Sequence, residues 1–380
     1  MFQRAQTHGK NDHNDPTSAP PERPLSRKKI WLFRFIAIVV IPLLLLGGLE
    51  LTLRIAGYGH RPGFLVKEGE FYQSNPTFGW RFFPRRISRT PLPIHLSVDK
   101  PEGTYRIVVV GGSAAQGFPA PEFSFSRYLE AMLREQYPDT RFEVANATMT
   151  AANSHMMVPV ARDCATLDPD LLVVYMGNNE VVGPYGPGTV FAGASPSLWA
   201  IRTGIWIKTT RTRQLLGNTV GSASGEGSGE WRGMEMFLEN LVPADDARLP
   251  ATYSHFRKAR ELDALRFRAD ATINATIRDV AAASGTEVML ADAEKSFGLL
   301  AEVAGSPGEE LFFDHVHPNY RGNYEMARSV FQAVVGELPA EIAGQGTGEI
   351  PSFERCNDRL AMTQPDRLRH IASLWGLTQR

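Results

Sequence analysis

Residues 30–56 read IWLFRFIAIVVIPLLLLGGLELTLRIA, a run so apolar that only a fully enclosed core or a lipid bilayer can accept it. Its uncharged part, residues 35–49, is shorter than the roughly 20 residues that cross a bilayer. The flanks must therefore contribute: Arg34 can snorkel back toward the basic cluster Arg27-Lys28-Lys29, and Glu50 falls near the far interface. The sequence thus predicts a single transmembrane helix over residues 30–54. A cleaved signal peptide is the competing reading, but Gly-Gly-Leu-Glu-Leu follows the apolar run, with no small-x-small site directly after it. Arg27, Lys28, Lys29 and Arg34 outnumber Arg54, Arg61 and Lys67 beyond the span, although Arg81, Arg85, Arg86 and Arg89 follow further on. By the positive-inside rule the N-terminus is cytoplasmic and the rest extracytoplasmic, which in a bacterium means periplasmic. Residues 1–29, polar and rich in Pro, Asn and His, read as a disordered cytoplasmic tail.

Beyond the span, 43% hydrophobic residues in a chain of 380 suffice for a large globular domain. A formal net charge of -1 provides no basic excess to hold nucleic acid. Two cysteines, Cys164 and Cys356, lie far apart in no ligand spacing, so neither a zinc site nor a disulfide framework is indicated. One disulfide between them stays open, with Cys164 otherwise a small buried hydrophobe in a helical pattern.

Residues 55–103, rich in Pro, Gly and Arg, read as a membrane-proximal connector packed on the main domain. The run YRIVVV at 105–110 has the composition of a strand buried on both faces of a parallel sheet. An amphipathic helix is predicted over 124–136, stopped by Pro138. It is followed by a strand at 142–145, a helix near 155–167 and a second buried strand, LLVVYM, at 171–176. Regularity then lapses over about 181–249, read as an insertion or lid, with a short apolar piece at 199–207 and the low-complexity GSASGEGSGE at 221–230. A helical pattern over 252–283, a strand at 287–290 and a helix at 319–335 complete a domain spanning 104–340. Residues 341–380 form a tail with one helix. Strand and helix alternate, which predicts an α/β fold with a mainly parallel sheet.

Three motifs stand at the ends of apolar runs. Ser113 follows a strand and Gly111-Gly112 and precedes a helix, which puts it at the carboxyl edge of the sheet, where open α/β folds bind ligands. By itself Gly-Gly-Ser is equally a tight turn or helix cap. Gly177-Asn178-Asn179-Glu180 follows LLVVYM and brings an amide to the same edge, although Gly-Asn-Asn alone is an ordinary turn. Asp314-His315-Val316-His317-Pro318 has a spacing that can fold the Asp314 carboxylate against the His317 imidazole, fixing its tautomer. His317 is preferred over His315, because adjacency to Asp314 would point those two side chains apart. Asp292 is an alternative acid. Asn146 is expected to buttress a turn through side-chain hydrogen bonds.

In the order Ser, Asn, Asp, His these elements resemble the SGNH (GDSL-like) hydrolase superfamily over roughly residues 104–336. GGSAAQG looks like its first block, NATMTAANS its second, GNNE its third and DHVHP its last. The resemblance implies a three-layer α/β/α, flavodoxin-like fold. It makes Ser113 the nucleophile, His317 the general base and Asp314 the residue that orients it. The oxyanion hole would be the Ser113 and Ala151 backbone N–H groups with the Asn179 side chain, supported by Gly112, Gly177 and Asn146. Ala151 stands where the family usually has Gly, Glu180 where it often has Asp, and Gly112 where its name has Asp. Residues 262–281 also look like a membrane-anchored bacterial subgroup. The implied activity is hydrolysis of a carboxylic ester, without metal or cofactor, on a small-molecule, lipid or glycan ester of the cell envelope. Acyl transfer to a glycan hydroxyl by the same triad, with the insertion excluding water, and an inactive envelope scaffold are the competing functions. No nucleic-acid partner is expected.

Overall fold

The computed structural model describes residues 26–187, 197–221, 267–301 and 307–370. The chain divides into two compact units, Met1–Tyr58 and Gly59–Arg380.

The described part of the first unit is one helix, α1 (Arg27–Ile55), of 29 residues. At about 1.5 Å per residue it exceeds the thickness of a bilayer hydrocarbon core. Pro42 has no N–H to give to the carbonyl one turn back, and the ladder widens into a π turn over Ile36–Val40 just before it. Arg54 pairs with Glu50 at 2.8 Å, and the Thr52 hydroxyl donates to the Gly48 carbonyl. Both polar contacts stay within the helix, so its apolar side chains remain outward.

The second unit is built on a parallel sheet of β4 (Thr104–Gly111), β5 (Arg141–Thr148) and β6 (Leu171–Tyr175), in the order β5-β4-β6. Along β4, side chains alternate between two cores. Ile107 and Val109 face helices α3 (Phe125–Gln136) and α9 (Tyr320–Val335), together with Phe125, Leu129, Leu133 and Phe331. Val108 and Val110 face the other way, toward α4 (Ser154–Cys164), with Met156, Val160 and Cys164. Helices on both faces of a parallel sheet give the three-layer α/β fold expected. The thiols of Cys164 and Cys356 are free, lie in the two different cores, and are pushed up to about 12 chiefly by burial. The disulfide left open by the sequence is not formed.

The connector has structure of its own, and two strand expectations need correction. The segment ahead of β4 folds into a three-stranded antiparallel sheet, β1 (Leu65–Glu68), β2 (Phe71–Ser74) and β3 (His95–Ser97). Its neighbours Phe64, Phe78, Phe82 and Phe83 belong to the α4 core. Residues 287–290 are not a strand. A 3-10 turn at Gly285–Glu287 leads into extended chain that pairs with no strand among the described residues, and the Arg278 bridges to Asp292 and Glu294 close the segment between α7 (Ala271–Ala283) and α8 (Ala293–Leu300). β6 is buried on one face only. Leu171, Val173 and Tyr175 pack inward while Leu172 and Val174 are exposed. Residues 252–266 and most of the insertion lie outside the described residues. The described part of the insertion holds α5 (Leu198–Ile207) and α6 (Arg211–Gly221).

Within YRIVVV, Arg106 is fully buried. Its guanidinium donates to the Leu167 carbonyl (2.6 Å) and to Glu143 on β5 (3.1 Å), its register partner. Removing one member of a buried ion pair strands the other charge, so Glu143→Ala is expected to cost about 3 kcal/mol or more. A urea-unfolding midpoint unchanged from wild type would contradict this. Leu129→Ala, in the opposite core, is expected to cost about 2–5 kcal/mol by the same measurement.

Candidate active site

The sheet register aligns three strand ends. Gly111 pairs with Thr148 of β5 and with Tyr175 of β6, so the loops after all three strands leave from one edge. At Gly111 a Cβ would collide with Ala115 and the Tyr175 carbonyl, so only glycine lets the chain turn here from strand to helix. Ser113 opens the single helical turn α2 (Ser113–Gln116), which Gly117 ends in left-handed geometry. Its side chain is buried.

From β5, the Met149 N–H donates to the Gly111 carbonyl (3.2 Å) and ties the second loop to the first. Ala151 takes a φ of 57°, the left-handed region that glycine adopts at no steric cost. From β6, Asn179 is also left-handed (φ 62°), and its side-chain amide donates to the Ala152 carbonyl at 3.3 Å. A Cβ on Gly112 would lie 3.1 Å from the Ala152 oxygen and 3.4 Å from Asn179 Nδ2. The three loops therefore converge beside Ser113, with a glycine at the closest approach.

The fourth element arrives from the chain entering α9. Phe313 N–H donates to the His317 carbonyl (2.9 Å), and residues 312 and 318 form an antiparallel bridge, closing a tight loop. Inside it, Asp314 Oδ1 accepts from the backbone N–H groups of Val316 and His317, both at 2.8 Å. Oδ2 lies 2.7 Å from His317 Nδ1, and His317 Nε2 lies 2.8 Å from Ser113 Oγ. Partial burial pushes the Asp314 carboxyl up. The hydrogen bond and charge of His317, with the Val316 N–H, outweigh that and hold it down at about 2. An ionised carboxylate can only accept, so Nδ1 carries the imidazole proton and Nε2 is left to accept from the Ser113 hydroxyl.

The structure thus brings together Ser113, His317, Asp314, Ala151, Asn179 and Gly112. His315 stands elsewhere, 4.0 Å from Asp314 and edge-on to Phe267. Asp292 is engaged by Arg278 and caps α8, so it is not the acid. Gly177, at φ 119°, passes 3.0 Å from Ala269 at the position of a Cβ, supporting the third loop by close packing. Asn146 acts differently from expectation. It donates to Ser126 (3.1 Å), Ser124 and the Gln116 carbonyl and accepts from Thr148 (2.6 Å), tying β5 to the chain between α2 and α3 rather than bracing the second loop itself. Two contributors were missed. Phe118 packs its ring 4.9 Å from that of His317, and Glu180 accepts from Ser154 N–H (2.9 Å) and Oγ (2.7 Å) at the start of α4. A carboxylate directly after a turn asparagine is a capping signal only once α4 is known to lie beside it.

A hydrogen-bonded Ser–His–Asp chain at the carboxyl edge of a parallel α/β sheet is the arrangement of serine-dependent acyl hydrolases. The sequence pattern of the GDSL-like Lipase/Acylhydrolase family matches residues 109–324, more than half of the chain, and the chain belongs to that family. Membership implies hydrolysis of esters in general terms. A solved structure from Desulfitobacterium hafniense DCB-2, of a protein assigned to the G-D-S-L family of lipolytic proteins, is 12% identical. It covers 60% of this chain and 99% of its own, with a TM-score of 0.31. No curated protein matches.

Two outcomes follow from this geometry. The ordinary carboxyl value is 3.8, so the stabilisation from the Asp314 carboxylate is present in full above that pH and is lost as pH falls toward about 2. In urea unfolding, the destabilisation by Asp314→Asn should shrink as the pH is lowered from about 5 to about 2; a constant difference would contradict the assignment. Ala151→Gly removes the cost of about 1–2 kcal/mol of holding an alanine in left-handed geometry, and the greater freedom of glycine in the unfolded chain takes back about 0.4–1 kcal/mol. Net stability in thermal unfolding should therefore stay level or rise by up to about 1 kcal/mol, and a clear loss would show that the loop needs the methyl group.

Proposed function

We propose that the protein is a membrane-anchored serine ester hydrolase. Ser113 Oγ attacks the ester carbonyl carbon as His317 Nε2 takes its proton, and Asp314 stabilises the imidazolium that forms. The carbonyl oxygen, now carrying the charge, is held by the N–H groups of Ser113 and Ala151 and by Asn179 Nδ2, which has a second hydrogen besides the one on Ala152. Collapse of the tetrahedral intermediate breaks the C–O bond, and His317 protonates the departing alkoxide. Water then attacks the acyl-enzyme, giving its proton to His317, and the acid leaves as Ser113 recovers its hydrogen. The observation that carries this reading is the unbroken hydrogen-bond chain, 2.8 and 2.7 Å, from Ser113 through His317 to Asp314.

The same reading takes α1 as an uncleaved span over residues 30–54 with a cytoplasmic N-terminus, residues 55–103 as its connector and residues 104–340 as a periplasmic hydrolase domain. The length of α1 and the exposed, uncharged surface of residues 35–49 support the span, and the excess of basic residues before it supports the orientation. The substrate would then be an envelope ester, an O-acylated glycan or a lipid.

The test is hydrolysis of p-nitrophenyl acetate and butyrate by the detergent-solubilised full chain. Ser113→Ala and His317→Ala should each lower kcat by about 10³-fold or more, with unchanged circular dichroism. Activity retained in Ser113→Ala would rule out the acyl-enzyme.

A further inference from the structure

The pair α5 and α6 turns large apolar side chains outward. On α5, Ile201 and Ile205 face the core at 6% and 8% exposure, whereas Trp199 and Trp206 are 75% and 65% exposed. Seven residues apart on an α-helix, the two indoles point within about 20° of each other. Arg202 falls between them in sequence and is exposed, Leu198 beside Trp199 is also exposed, and α6 carries a further exposed leucine, Leu216. Residues 197–221 contain Arg202, Lys208, Arg211 and Arg213 and no Asp or Glu.

Two neighbouring indoles left in water forgo the burial of about 150–250 Å² each. Trp favours the headgroup level of a membrane, where its ring is buried and its N–H stays solvated. A helix with Trp and Leu outward and only basic charge around it has the composition of an interfacial helix on anionic lipid. Lys208 donates to the Tyr185 hydroxyl (3.0 Å) and Arg211 to the His60 carbonyl, so Arg202 and Arg213 are the exposed members of the basic set.

The pair is also tied to the start of its own unit. His60 N–H donates to Gln214 Oε1 (2.9 Å), and Gln214 Nε2 donates back to the His60 carbonyl (3.2 Å). Only four residues lie between Ile55, the last residue of α1, and His60, five Cα steps that reach at most about 18 Å. Tethering of this kind raises the effective concentration of a nearby lipid surface, so even a weak interfacial helix is occupied.

We propose that α5 is a second membrane contact. The face made by Leu198, Trp199, Arg202 and Trp206 rests in the headgroup layer of the anionic bilayer that α1 crosses. This rests on the reading of α1 as a membrane span.

The test reconstitutes the full chain in phosphatidylcholine–phosphatidylglycerol vesicles, with and without brominated acyl chains, and measures tryptophan quenching. Wild type is compared with Trp31→Phe and with Trp199→Phe/Trp206→Phe. The proposal expects the double variant to lose a quenched component distinct from the one that Trp31→Phe removes. If Trp31 is quenched and the double variant matches wild type, the anchor stands and the membrane contact of α5 is overturned. If Trp31→Phe removes no quenched component, the anchor reading fails and takes this proposal with it. Indoles shielded from iodide only at high protein concentration, without lipid quenching, would assign the face to a second copy of the chain and likewise overturn the proposal.

Discussion

Backbone pairing of Gly111 with Thr148 on one side and Tyr175 on the other decides where three loops leave the parallel sheet. With parallel strands, equal register brings the carboxyl ends level, so Ser113, Ala151 and Asn179 meet at one edge without any long-range search by their side chains. The register is held from the far end by Arg106, whose buried guanidinium bonds Glu143 on β5, and whose N–H donates to Asp170 just before β6. A slip of one residue would break those bonds and exchange the two cores, since Ile107 and Val108 face opposite ways.

The site is organised before any substrate arrives. Asp314 spends one oxygen on two backbone N–H groups and the other on His317, so its loop, its charge and the imidazole tautomer are set together. Phe118 covers one side of the imidazole and Glu180 caps the helix that follows the second loop. Phe118 lies one residue beyond the first motif block and Glu180 closes the third, and both act by positioning other groups. The left-handed Ala151 is the point where local geometry departs most from side-chain preference, and it lies in the loop where the family usually has glycine.

Much of this was legible because β4 and β6 are continuous apolar runs that end in polar turn residues, and α3 and α9 repeat at helical spacing. Ser113 and the Asp314–His317 pair could be located from those boundaries and from family resemblance. What escaped was set by partners distant in sequence. The antiparallel sheet of residues 65–97 uses strands of three or four residues, too short to show a period. Residues 287–290 have strand-like letters, yet a strand exists only where a neighbour supplies the ladder. Arg106 sits inside an apolar run and reads as an interruption until Glu143 is seen opposite it, and Leu172 and Val174 read as buried because a continuous apolar run does not show which of its faces is left uncovered.

The central claim is that Ser113 is an activated nucleophile, and covalent labelling tests it most directly. Full-length protein is treated with diisopropyl fluorophosphate, digested, and its peptides are weighed by mass spectrometry. The account predicts one modified serine, Ser113, in the wild type, and loss of that label in a folded His317→Ala variant. A folded wild type that takes up no label, or takes it on another serine, would contradict it.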